Sequence, residues 1–126
     1  MEVDEEMSII VTEWKNYLPS AEYRASLLQV HELVKRYGLR FWLSDSRKMG
    51  AILRDDEQWS VAEFTPLLMQ AGLRRIAVIS SADYFNRTST ERMVEATAAI
   101  VPFKVEFFDD PLMGREWLAV ELKVLA

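Results

Sequence analysis

The chain has 126 residues, half of them hydrophobic, with no cysteine and a formal net charge of −5. That length suits one domain with a core of its own, and the missing thiols exclude disulfide scaffolds, thiolate catalysis and cysteine-ligated metal or iron–sulfur sites. The acidic balance disfavours a phosphate backbone, and no apolar run approaches the roughly 20 residues that cross a bilayer, so neither nucleic acid nor a membrane span is expected.

The acidic start, Met1-Glu2-Val3-Asp4-Glu5-Glu6, is unlike a cationic secretory leader, and a cytoplasmic location is expected. Met1 to Asp4 reads as a short strand. It turns near Glu5-Glu6 to pair with Ser8 to Lys15, where Ile9, Ile10, Val11, Thr12 and Trp14 favour extended chain. Ser20 to Tyr37 reads as an amphipathic helix. Tyr23, Leu27, Val30, Val34 and Tyr37 share one face, Pro19 and Ser20 suit its start, and Gly38 suits its stop.

Leu39 to Ser44 is the next strand, apolar on both faces and therefore central, with helices on both sides. It ends at a polar turn, Asp45-Ser46-Arg47-Lys48-Met49-Gly50. Asp55 or Asp56 caps a second helix, and Asp55 with Gln58 has capping-box spacing. That helix carries Trp59, Ala62, Leu67 and Leu68 on the way to Gly72, with a kink or break expected at Pro66. Arg75 to Ser80 is a short apolar strand, and Ser81 or Asp83 caps a third helix reaching about Ala99. Phe103 to Phe108 alternates like a strand nearer an edge, and Asp110-Pro111 starts a last helix through Trp117.

The order ββαβαβαβα predicts an α/β fold as a single domain over 1–126. Its single, mainly parallel sheet of four or five strands is flanked by about four helices, and its first strand is antiparallel. Ligands of such sheets gather at the carboxyl ends of the strands. Asp45, Ser46, Arg47, Lys48 and Met49, with the helix start at Asp55, are therefore the candidate binding surface. Arg47 and Lys48 would anchor electrostatically and Met49 would give an adaptable apolar contact. The plainer alternative is that Asp45 and Ser46 satisfy turn amides while Arg47 and Lys48 are solvated.

No glycine-rich phosphate loop is present. The lone His31 has no nucleophile elbow beside it, and the pairs Asp55-Asp56 and Asp109-Asp110 are explained by helix starts. No catalytic residue, metal ligand or cofactor is therefore assigned. Trp14, Tyr17, Trp42 and Trp59 are either core and interface, or the lining of a pocket for a flat apolar ligand. A homodimer through the edge near Phe103 to Phe108 is also expected.

A resemblance covers nearly the whole chain. It rests on Glu13-Trp14-Lys15-Asn16-Tyr17, Glu22-Tyr23-Arg24 and Trp42-Leu43-Ser44-Asp45-Ser46-Arg47-Lys48-Met49-Gly50. Trp59, Pro66, Ala71-Gly72-Leu73-Arg74, Phe107-Phe108-Asp109-Asp110 and Trp117-Leu118 complete it. The pattern resembles small bacterial proteins of the STAS fold (sulfate transporter and anti-sigma factor antagonist), in the stage II sporulation protein AA-like branch. Relatives in that fold are phosphorylation switches, with a turn resembling Asp-Ser-Ser-Gly whose second serine accepts phosphate. Here the matching position is Arg47, Lys48 replaces the glycine, and Ser46 matches only the neighbouring position. The resemblance thus implies a non-enzymatic regulatory or protein-interaction module without the usual phosphoacceptor serine. Its partner would be another protein; the alternative is a small-molecule or lipid carrier or sensor.

Overall fold

The computed structural model describes residues 1–125. Its first strands form the expected hairpin: β1 (Glu2–Asp4) pairs antiparallel with β2 (Ile9–Asn16), Val3 opposite Ile10. The Asp4 carboxylate accepts from the Met7 amide at 3.1 Å and steadies the connection.

Helix α1 (Ser20–Tyr37) buries Tyr23, Leu27, Val30 and Val34. Gly38 takes a left-handed φ of 60°, and the amides of Gly38 and Leu39 return to the Lys35 and Val34 carbonyls. That reversal belongs to glycine at a helix stop. Tyr37 does not join the buried face as its spacing predicted. It sits on the last helical turn, 44% exposed, and the reversed chain buries Leu39 instead.

Strand β3 (Phe41–Met49) runs five residues past the expected end at Ser44, so the predicted polar turn is strand. The reason is a bulge. Glu13 pairs with Asp45 and Lys15 with Lys48, so Ser46 and Arg47 together face Trp14. One extra residue lets β3 stay beside β2 while its polar side chains are re-aimed. Gly50 then donates to the Asn16 carbonyl at 2.9 Å.

The next helical stretch changes pitch rather than breaking. Helix α2 (Arg54–Trp59) passes into a π-helical turn (Ser60–Phe64) and then α3 (Thr65–Met69). Pro66 has no amide to continue the α ladder. Instead the Thr65 amide reaches the Ser60 carbonyl, and the Thr65 hydroxyl bonds the same oxygen at 2.9 Å. The wider turn rotates the later residues, so Phe64 and Leu68 are buried while Ala62 and Leu67 face water. Neither Asp55 nor Asp56 caps this helix: Leu53 is the cap residue, without a side-chain bond.

Strand β4 (Arg75–Ile79) leads to α4 (Tyr84–Thr97), which Asp83 caps by accepting from the Asn86 amide at 3.0 Å. The edge strand β5 (Lys104–Phe108) and the helix α5 (Pro111–Leu125) complete the fold. The α/β expectation holds: the sheet has five strands in the order β1-β2-β3-β4-β5, parallel from β2 onward.

Parallel strands that advance one way across a sheet, joined by crossovers of one hand, receive their crossover helices on one face. The core follows that rule. Ile10, Trp42, Ile76 and Val78 pack with residues of α1 and with Phe64 and Leu68 on that face. The opposite face carries Ile9, Phe41, Leu43, Ala77 and Ile79, covered by Leu118 and Trp117 of α5. Gly114 permits this contact: a Cβ there would meet the Ile79 and Leu43 side chains at 3.0 Å. Arg75 fastens the helix, lying 4.5 Å from the Trp117 ring centroid and donating to the Trp117 carbonyl at 3.0 Å. No helix among the described residues is long and apolar enough to cross a membrane.

Candidate functional site

Alternation along β3 turns Trp42, Ser44 and Ser46 toward the crossover helices and Asp45 toward the α5 face. Across the β2–β3 seam the Trp14 indole donates to the Ser44 hydroxyl at 2.9 Å, and the Trp42 indole donates to the Thr12 hydroxyl at 3.0 Å. All four side chains are buried.

The former turn divides into buried and exposed members. Asp45, Ser46 and Met49 are 8%, 5% and 7% exposed, so they do not form the open surface expected of them. The Arg47 guanidinium folds back on Asp45, with Nη2 to Oδ2 at 2.8 Å, and holds that carboxyl below the usual aspartate range. The Met49 carbonyl accepts the Ser81 hydroxyl at 2.8 Å, and the Gly50 carbonyl accepts the Asn86 side-chain amide at 2.9 Å. The end of β3 is therefore fastened to the start of α4. Arg47, Lys48 and Asp55 remain at the surface.

Of the aromatic candidates, Trp14 and Trp42 line a cavity of about 140 Å³ between the sheet and the crossover helices. Tyr17 and Trp59 do not. Tyr17 lies beyond β2, 52% exposed, and Trp59 stacks on Phe64 at 6.2 Å beneath the Arg24 guanidinium. Burial pushes the Tyr23 phenol up to about 12, so it remains neutral against the cavity.

Sequence reasoning missed several charged connections. Asp56, read as a cap, accepts from Ser20 at 2.8 Å and from Arg24 Nε at 2.9 Å, which joins α2 to α1. Glu57 takes a two-pronged bond from Arg92 at 2.8 and 2.9 Å, which joins α2 to α4 and holds its carboxyl below the usual range. The only signal for either was an excess of acids over what one cap requires.

The carboxyl edge of the sheet exposes large apolar side chains after every parallel strand. Tyr17 follows β2 and Leu53 follows β3; Tyr84 and Phe85 follow β4; Leu112 and Met113 follow β5. Tyr84 and Phe85 are 65% and 69% exposed and meet edge to face at 5.6 Å. Among the described residues no three histidines or carboxylates gather as a metal site, and His31 is half-buried on α1. No family model, no curated protein and no solved structure matches this chain.

Proposed function

We propose that the chain is a non-enzymatic regulatory or protein-interaction module of the STAS type, with the carboxyl edge of the sheet as its contact surface. The observation that carries this reading is the gathering of exposed Tyr17, Leu53, Tyr84, Phe85, Leu112 and Met113 at that single edge. Tyr84 and Phe85, the most exposed of them, touch each other, and aromatic residues dominate protein contacts. Arg47 and Lys48 stand at the same edge and would steer approach. Arg47 at the position of the usual phosphoacceptor, beside a Ser46 turned inward, supports a module that works without phosphate on that strand.

The test is partner capture from the native cell by the folded protein and its variants. Tyr84→Ser/Phe85→Ser and Arg47→Ala/Lys48→Ala should each lose a partner that the wild type and Leu28→Ser, altered on α1, both retain. Retention of every partner by folded edge variants overturns the proposal.

A further inference from the structure

We infer that the cavity beneath α4 is a binding site for a small uncharged molecule with one flat apolar ring and one hydroxyl or carbonyl group, the size of phenol. The inference goes beyond the edge contact proposed above and uses different residues. Close packing leaves few spaces larger than a water molecule between a sheet and its helices, and this partly open one measures about 140 Å³. An apolar cavity of about 150 Å³ admits a benzene-sized guest.

The walls set the chemistry. Trp14, Trp42, Phe64, Val78, Met93 and Phe103 give flat and aliphatic surface, and no lining side chain is charged. A charged guest would lose its hydration with nothing to replace it, so the guest is neutral.

The hydroxyl groups of the lining locate its polar group. Ser60, Thr90 and Thr97 spend their hydroxyl protons on the carbonyls of Asp56, Asn86 and Met93, and Thr65 spends its own on Ser60. With the Ser60 proton committed, Tyr23 is the donor in its 2.7 Å contact with Ser60. Ser44 accepts from Trp14, and among the described residues neither Ser44 nor Ser46 donates its hydroxyl proton to a protein acceptor. These two hydroxyls lie two residues apart on one face of β3 and both line the cavity. Either hydroxyl can donate to an oxygen of the guest, and Ser46, with no bond of its own, is the more available.

The roof is built accordingly. Helix α4 presents Thr90, Met93, Val94 and Thr97 to the cavity, a mixed face of two hydroxyls and two apolar side chains.

The experiment is a titration of the full chain with phenol, toluene and benzoate, followed by the indole N–H resonances of Trp14 and Trp42. Phenol and toluene should move both resonances, and benzoate should not. Ser46→Ala should weaken phenol by about tenfold, the scale of one lost hydrogen bond, and leave toluene unchanged. Val94→Phe, or Thr97→Leu if the first does not fold, should block both guests, while Tyr84→Ser at the edge should leave both intact. Unmoved resonances with phenol and toluene, benzoate binding equal to phenol, or full phenol affinity in Ser46→Ala would each overturn the inference.

Discussion

Trp14 reaches from β2 across the seam to β3 and donates its indole N–H to Ser44 at 2.9 Å, with both side chains buried. A buried donor without an acceptor costs its full desolvation. Ser44→Ala should therefore destabilise the fold by about 1–3 kcal/mol. The loss should shrink when Trp14 is already Phe, because the orphaned donor is then gone; a double-mutant cycle in urea measures the coupling.

The Glu57–Arg92 pair predicts an acid-labile contact between α2 and α4. Its bonds lower the folded Glu57 pKa, so its stabilisation is present above the unfolded value of about 4.3 and fades as pH falls through the folded one. Asp45 beside Arg47 acts in the same direction from an unfolded value of about 3.9. Unfolding free energy should decline below about pH 4.3, and Glu57→Gln should flatten that decline. An unchanged slope in the variant would remove the assignment.

Arg24→Ala should cost about 1.5–2 kcal/mol, the lower part of the range for a bond to a charged group because the guanidinium is partly solvated. Asp56→Ala should cost more, since it breaks the bonds to both Ser20 and Arg24. Arg24 also lies 5.3 Å from the Trp59 ring centroid, so its removal should change Trp59 emission even where stability changes little.

Gly114→Val should destabilise by about 1–3 kcal/mol, the scale of an overpacked core. Even a first carbon at that position meets Ile79 and Leu43 at 3.0 Å and Ala77 at 3.3 Å. Thermal unfolding followed by near-ultraviolet dichroism of Trp117, which packs on the same face, checks it.

Local pattern carried most of the architecture. The spacing of Tyr23, Leu27, Val30 and Val34, with Gly38 beyond, matched α1 to the residue. The alternation of strand and helix predicted the sheet, and Phe103 to Phe108 lies at its edge as expected. The end of β3 was illegible because Asp45-Ser46-Arg47-Lys48 has turn composition, and the bulge that keeps it in the sheet depends on β2 alongside. Asp56 misled for a related reason, and Glu57 drew no reading at all. An acid in a first helical turn satisfies the capping pattern equally well when its partner is an arginine on another helix. The cavity was only half visible: Trp14 and Trp42 were named for it, but the hydroxyls of Ser44 and Ser46 look like ordinary strand-end residues until their bonds are traced.

The one-sided placement of the crossovers has a consequence for biosynthesis. Every element from β1 to β5 emerges from the ribosome before α5, and until Pro111 and its successors follow, Phe41, Leu43, Ala77 and Ile79 have no cover. The nascent sheet thus passes through a sticky stage that ends only when its last helix arrives.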